Sequence, residues 1–233
     1  MMKNNIWLDG LRSVARMGET AVVAAKAGIK YATEKPSNAK LMRETFESLG
    51  STYIKLGQFI ASTPSLFPRE YVEEFQGCLD QTPTLPFSYV QQVLASEFAG
   101  RNLDEIFASI DQKPLASAST AQVHAAKLVS GEDVVIKVQK PGVETILYTD
   151  LNVLHWATKL LEKAVPKVKF ASLADIVEEI KTRMVREVDF IEEARNLDDF
   201  INYLNVTQNK KATAPKVYHQ YSTRRVLTMQ RLY

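Results

Sequence analysis

The sequence predicts an α+β fold in which helices come first and a small antiparallel sheet follows. Before Pro114, apolar residues recur at helical spacing in segment after segment. After Pro114, two runs of β-branched and apolar residues flank the turn Ser130-Gly131-Glu132-Asp133, which predicts a hairpin. Long amphipathic helices separate this hairpin from a second one near the end of the chain. The expected architecture is therefore a helical extension joined to a small sheet packed by long helices.

Composition limits the classes of function. The 233 residues carry a formal charge of +2, and 45% are hydrophobic and 24% charged, as in ordinary soluble globular proteins. Basic and acidic residues are interleaved, with no basic block beside stacking aromatics, so we expect no nucleic-acid partner. The single cysteine, Cys78, excludes a disulfide within the chain and argues against a zinc cluster. We therefore expect no metal site in this chain and a reducing, cytoplasmic location.

The first helix is predicted over residues 5–33, within an N-terminal segment taken as residues 1–37. The apolar positions at helical spacing include Trp7, Leu11, Val22 and Ile29. The apolar runs are far shorter than the roughly 20 residues that span a bilayer. Two interpretations stay open: the helix docks on its own domain, which we favour, or it lies on the cytoplasmic face of a membrane as a peripheral contact.

Residues 38–113 are predicted to form a helical domain. One helix is expected over 38–63, where Pro64 ends it, and two shorter helices over 68–80 and 86–99 begin near prolines. Residues 102–110 are expected to add a short helical piece. The first of these helices contains Lys55-Leu56-Gly57-Gln58, and a glycine inside a helix suggests close packing, although a tolerated glycine is the more common explanation.

Residues 114–233 are predicted to form the sheet and its long helices. The first hairpin is expected to pair Val123–Val129 with Val134–Gln139. A helix over 143–164 should end at Pro166, and Ser172 should cap a long helix that reaches about Leu204. The second hairpin is expected to pair Lys216–His219 with Arg225–Leu232, through a turn at Ser222-Thr223-Arg224.

Three features of this part of the chain could bind a nucleotide. The loop Ala116-Ser117-Ala118-Ser119 consists of small residues, so its backbone could approach a phosphate closely. Lys137 lies on a predicted strand and should face away from its apolar neighbours Ile136 and Val138. Carboxylates cluster on the later helix, from Glu187 to Glu193. Taken one at a time, each feature has a more common explanation: the small-residue stretch is an ordinary loop, Lys137 faces solvent, and the carboxylates form a solvated helix face.

Taken together and in order, these segments resemble the UbiB family of atypical, protein-kinase-like ATPases, over about residues 40–233. The segments that carry the resemblance are the Lys-x-Gly-Gln signature Lys55–Gln58, the alanine-rich loop Ala116–Ser119 followed by Gln122-Val123-His124, the strand lysine Lys137 followed by Gln139-Lys140-Pro141-Gly142-Val143, the Glu-x-Asp signature Glu187 and Asp189, the helix glutamate Glu193, and the hinge-entering strand Val226–Met229. Ser117 departs from an all-alanine loop, but serine is nearly as small.

The resemblance implies a protein-kinase-like N-lobe over 114–233, preceded by a Lys-x-Gly-Gln extension. It implies that Lys137, paired with Glu193, holds the phosphates of ATP or ADP with magnesium. Their separation of 56 positions is longer than in an ordinary kinase lobe, and the 143–164 helix would account for the difference. It also implies that Lys55, Gly57 and Gln58 fold across the cleft, where Lys55 would face Glu187 and Asp189. That arrangement would exclude a protein substrate.

The resemblance also predicts what this chain lacks. Kinase-like proteins carry their catalytic-loop and metal-binding aspartates after the hinge, and no matching stretch occurs in these residues. We therefore expect no catalytic residue here, an absent C-lobe, magnesium ligands outside this chain, and little activity from residues 1–233 alone. The implied function is ATP hydrolysis or phosphorylation of a small molecule or lipid that supports ubiquinone or isoprenoid-lipid metabolism, with a quinone precursor and biosynthetic-complex proteins as partners. One alternative is a pseudokinase-type scaffold or lipid-binding module with nucleotide as a structural ligand. A second, less favoured alternative is a purely structural helical domain that binds no nucleotide.

Overall fold

The predicted α+β architecture is confirmed by the computed structural model, which describes residues 6–78, 84–164 and 173–233. In chain order the helices are α1 (Ile6–Glu34), α2 (Asn38–Leu49), α3 (Ser51–Ser62), α4 (Arg69–Phe75), α5 (Phe87–Glu97), α6 (Val143–Ala164), α7 (Leu173–Glu187) and α8 (Phe190–Val206). The strands are β1 (Phe107–Ile110), β2 (Ala116–Ser117), β3 (Ala121–Leu128), β4 (Asp133–Gln139) and β5 (Val226–Gln230).

The chain divides into two units that interleave in sequence. One unit combines Met1–Asp80 with Glu144–Met184 and is helical where it is described. The other combines Gln81–Val143 with Val185–Tyr233 and contains the sheet, α5 and α8. The hairpin and the helix that carries Glu193 therefore belong to one unit, whereas the Lys55–Gln58 segment belongs to the other.

Two predicted helices are each divided in two. The helix predicted over 38–63 breaks at Gly50, whose φ of +95° lies in the left-handed region and cannot continue an α-helix. The helix predicted to run to Leu204 breaks after Glu187, because Asp189 adopts an extended conformation and caps α8. Its carboxylate accepts a hydrogen bond from the Ile191 N–H at 3.0 Å. The predicted start at Ser172 and the end at Pro166 lie outside the described residues.

The prediction of a helical piece over residues 102–110 is wrong for the second half of that range. Only Leu103–Glu105 form a 3₁₀ turn, and the chain then enters β1, which pairs antiparallel with β3. This segment is a strand because it pairs with β3. Its four residues are too few to show the alternation of a strand in the sequence. The second hairpin is also shorter than predicted: β5 forms, but its expected partner contributes a single bridge between Val217 and Met229.

The sheet has the order β1-β3-β4-β5, with β2 added alongside β3, and every pairing is antiparallel. One face carries Ile136 and Val138, which are almost fully buried in a cluster with residues of α5. The opposite face carries Ala121 and Leu227, which pack against α8. Because side chains alternate along a strand, Lys137 lies on the α8 face, as predicted from its apolar neighbours.

Candidate functional site

The structure brings Lys137 of β4 and Glu193 of α8 together. The Lys137 Nζ lies 2.8 Å from Oε1 and 2.7 Å from Oε2 of Glu193, so the ammonium donates to both carboxylate oxygens. The two side chains are 26% and 32% exposed, respectively. The pair is held by its own charge-assisted hydrogen bonds, and part of each side chain stays exposed. The predicted pairing is therefore present in the geometry, whereas its role with nucleotide stays a prediction.

Phe190 forms an apolar floor beneath the pair, which the sequence prediction missed. The Lys137 Nζ lies 5.0 Å from the centre of the Phe190 ring, a distance suited to a cation–π contact. Phe190 is the first residue of α8 and is only 1% exposed. The pattern Asp189-x-x-Glu192 is a helix-start signature and could have located this residue in advance.

The small-residue loop is a tight hairpin beside the lysine strand. Ala116 and Ser117 pair with Val123 and Gln122, and Val123 in turn lies opposite Lys137. The Ala118 N–H donates to the Ala121 carbonyl at 2.9 Å, and Ser119 is buried. The loop is therefore a closed turn, in which the Ala118 N–H is already used within the protein.

Gln122 and His124, which follow the loop, belong to the interior of the unit. Both are buried, and the Gln122 amide exchanges hydrogen bonds with the backbone N–H and carbonyl of Leu85. His124 Nδ1 lies 2.8 Å from the Asp111 carbonyl, so it donates there, and Nε2 is left to accept from Gln122 at 3.4 Å. This part of the signature joins three segments of the fold and does not present side chains to a ligand.

The Lys55–Gln58 segment lies on α3 in the other unit, and its glycine is explained by packing. A Cβ atom on Gly57 would lie 2.5 Å from Cδ1 of Phe75 and 3.2 Å from Sγ of Cys78. Lys55 and Gln58 on either side are half-exposed. The close packing suggested by a glycine inside a helix is thus confirmed, and the predicted meeting of Lys55 with Glu187 and Asp189 stays a prediction.

Glu187 and Asp189 lie at the break between α7 and α8. Glu187 is exposed at the end of α7, and Asp189 is the N-cap of α8. The Asp189 carboxylate also lies 3.3 Å from Nε of Arg224, which precedes β5. Whatever else the Glu-x-Asp signature does, its aspartate fixes the first turn of the helix that carries Glu193.

A nucleotide phosphate fits the residues present at this site. The Lys137 side chain is held by one carboxylate and is 26% exposed, so an anion could approach it while the contact with Glu193 is kept. Within residues 6–78, 84–164 and 173–233, no group of three His, Cys, Asp or Glu side chains converges to hold a metal ion.

The chain is similar to known proteins in both sequence and structure. The model of the ABC1 atypical kinase-like domain matches residues 77–233. An uncharacterised aarF domain-containing protein kinase of Arabidopsis thaliana chloroplasts is 50% identical over 194 residues, which are 82% of this chain and 36% of the relative. The probable protein kinase UbiB of Azotobacter vinelandii is 35% identical over 202 residues, 86% of this chain and 37% of the relative.

Among solved structures, a Mycobacterium tuberculosis protein determined in complex with erythromycin is similar over 94% of this chain and 50% of its own, with a TM-score of 0.56 and 25% identity.

The chain spans little more than a third of the length of the two curated relatives named above. In the described part of the chain, no helix is long and apolar enough to cross a membrane.

Proposed function

Because this chain belongs to the ABC1 atypical kinase-like family, we propose that it forms the nucleotide-holding part of an atypical kinase-like ATP-binding protein. The observation that carries the proposal is the contact between Lys137 and both oxygens of Glu193, on a strand and a helix of one unit. In kinase-like proteins, a lysine and a helix-borne glutamate arranged in this way orient the α- and β-phosphates.

The residues of this chain have defined roles in the proposal. Lys137 would neutralise phosphate charge, Glu193 would hold the ammonium in place, and the Ala116–Ser119 hairpin would border the phosphates with small side chains. When bound, ATP with magnesium would supply the phosphoryl group and the charge that polarises it. The residues that activate an acceptor would lie outside this chain.

The reaction that we propose for the whole protein is ATP hydrolysis or phosphoryl transfer to a small molecule or lipid. The resemblance to the UbiB family implies a role connected with ubiquinone or another isoprenoid lipid, and similarity to the Azotobacter probable protein kinase UbiB supports that relationship. By its family resemblance, the Lys55–Gln58 signature would disfavour protein substrates. A quinone precursor, an isoprenoid lipid or a biosynthetic-complex protein would then be the partner.

Calorimetric titration of magnesium-ADP into a longer protein that contains this chain tests the nucleotide site. Lys137→Ala should weaken binding by about tenfold or more, the range of a lost hydrogen bond to a charged group. Lys127→Ala, which removes an exposed lysine from β3, is the matched control and should bind like the unmodified protein. Equal affinity in both variants would refute the proposed site.

ATP turnover by the same proteins separates the two kinds of function. Turnover that Lys137→Ala abolishes supports an ATPase or phosphotransferase. If the protein binds nucleotide without turning it over, and Lys137→Ala loses that binding, the protein is a scaffold that uses nucleotide as a structural ligand.

A further inference from the structure

Gln139 lies two positions after Lys137 on β4, and its side chain therefore points to the same face of the sheet. It is 3% exposed, which is unusual for a glutamine. Its Nε2 donates to the carbonyl of Val188 at 2.8 Å. Val188 is the residue at which the chain passes from α7 into α8, so this hydrogen bond ties the helix break to the lysine strand.

The other end of the Gln139 amide is tied to the segment before β5. Its Oε1 accepts from Nε of Arg225 at 3.3 Å, and Arg225 Nη1 lies 3.6 Å from the Glu97 carboxylate. The orientation of the amide is fixed by its partners, because the Val188 carbonyl can only accept and the Arg225 guanidinium can only donate. The adjacent Arg224 carbonyl accepts from the Phe190 N–H at 3.1 Å.

These contacts hold the first turn of α8 from two sides. Glu193 lies four positions after the Asp189 cap, or about one turn into the helix. A shift of Val188 by a fraction of a helical turn would therefore move the Glu193 carboxylate relative to Lys137. The hydrogen bond from Gln139 thus joins this break to the strand that carries the lysine, alongside the contact of Lys137 with the Phe190 ring.

We propose that Gln139 is a positioning residue for the Lys137–Glu193 pair: it fixes Val188, and thereby the register of α8, against β4. The inference rests on the nucleotide-holding function proposed above for that pair. Gln139 acts through Glu193 and does not touch the nucleotide.

Two substitutions of similar volume separate the two hydrogen bonds. Gln139→Glu keeps an acceptor for Arg225 but cannot donate to the Val188 carbonyl, and Gln139→Met removes both bonds. Gln92 is exposed on α5, so Gln92→Glu and Gln92→Met are matched controls for the chemistry of the substitution. If Gln139→Met fails to fold, Gln139→Glu still tests the bond to Val188.

The first readout needs no nucleotide. The rate at which a water-soluble acylating reagent modifies Lys137, measured by peptide mass spectrometry against Lys127, reports whether the ammonium is still held by Glu193. We expect faster modification of Lys137, and unchanged modification of Lys127, in both Gln139 variants. In a Glu193→Gln background, Gln139→Met should add nothing further, because the carboxylate through which it acts is gone.

The second readout is magnesium-ADP affinity of a longer protein that contains this chain. Gln139→Met should weaken this affinity about fivefold, because losing the bond to Val188 would shift Glu193 away from Lys137. In the Glu193→Gln background, Gln139→Met should have no further effect. Unchanged Lys137 modification in the Gln139 variants, or equal effects with and without the Glu193 carboxylate, would overturn the positioning role. If the unmodified protein binds no nucleotide, the proposed function fails, and the labelling experiment alone decides whether Gln139 positions the pair.

Discussion

Two lysine-containing signatures of this chain are held in place by different forces. The Lys137–Glu193 pair is fixed by direct hydrogen bonds between charged groups on β4 and α8. The Lys55–Gln58 segment is fixed by volume, since Gly57 packs against the ring of Phe75 with no space for a methyl group. One signature therefore presents a complete charged pair within its own unit, and the other presents a tightly packed helix with half-exposed polar side chains.

This difference predicts that changes in the two segments have different consequences. A change at Lys137 removes a partly exposed charge and should alter ligand binding more than stability. A change at Gly57 disturbs a closely packed interior and should alter stability first. A loss of function caused by Gly57 substitution would thus say little about the chemistry of Lys55 or Gln58 unless folding were measured as well.

The largest effect on stability is expected from Gly57→Ala. The added methyl group would overlap the Phe75 ring. Because this ring is only 1% exposed, it cannot swing out into solvent to make room, and the free energy of unfolding should fall by about 1–3 kcal/mol. Chemical denaturation measures this change. Gly28→Ala on α1 is the matched control, because no heavy atom beyond its own local helix backbone lies within 4 Å of its added Cβ. That variant should be neutral or stabilised by up to about 1 kcal/mol.

A second substitution tests the cause of the Gly57 effect. Phe75→Leu, introduced together with Gly57→Ala, removes the ring atoms that the methyl group would meet. The double variant should be more stable than the sum of the two single changes predicts. Additive changes would contradict the packing explanation.

An intermediate effect is expected at the cap of α8. Asp189→Ala removes the acceptor for the Ile191 N–H and should cost about 1 kcal/mol of unfolding free energy, while Asp189→Asn keeps an acceptor oxygen and should cost less. The contact with Arg224 adds little because that side chain is 54% exposed. Thermal denaturation compares the two variants. Equal losses in both would mean that the charge of Asp189, and not its capping, stabilises this turn.

The smallest effect concerns the partly exposed pair of Lys30 and Glu44 in the helical unit. The hydrogen bond from Lys30, at 2.7 Å, lowers the pKa of the Glu44 carboxyl. A lowered carboxyl pKa means that the stabilisation is present above the unfolded-state value, about pH 4.3, and is lost as the pH falls through the folded-state value.

Denaturation of Glu44→Gln between pH 7 and pH 3 checks this expectation. Its deficit relative to the unmodified protein should be under about 1 kcal/mol at neutral pH and should shrink in acid. Glu105→Gln, an exposed change in the other unit, serves as the control. A deficit that stays constant with pH would show that the charge of Glu44 is not responsible.

Much of the sheet could be predicted because its signals are local. The first hairpin follows from two β-branched runs around a polar turn, and the side to which Lys137 points follows from the alternation of its neighbours. The pairing of Lys137 with Glu193 over 56 positions came from the family resemblance, since no local pattern selects one glutamate among several on an acidic helix.

Other features depended on contacts between distant segments. β1 is a strand because β3 is available to pair with it, and a four-residue segment carries no clear period of its own. Gln139 and Gln122 look like ordinary polar residues in the sequence, and only the fold shows that both are buried and hydrogen-bonded. The break at Gly50, by contrast, could have been predicted from its residue type, although apolar residues keep a helical period on both sides of it.

A double-mutant cycle on magnesium-ADP affinity, using a longer protein that contains this chain, tests most directly whether the Lys137–Glu193 pair holds the nucleotide. Lys137→Met should weaken binding by about tenfold or more, and Glu193→Gln should weaken it to a smaller extent. If the two residues act as one unit, the double variant should bind within about twofold of Lys137→Met. Unchanged affinity in Lys137→Met, or fully additive losses in the double variant, would contradict the claim that this pair holds the nucleotide.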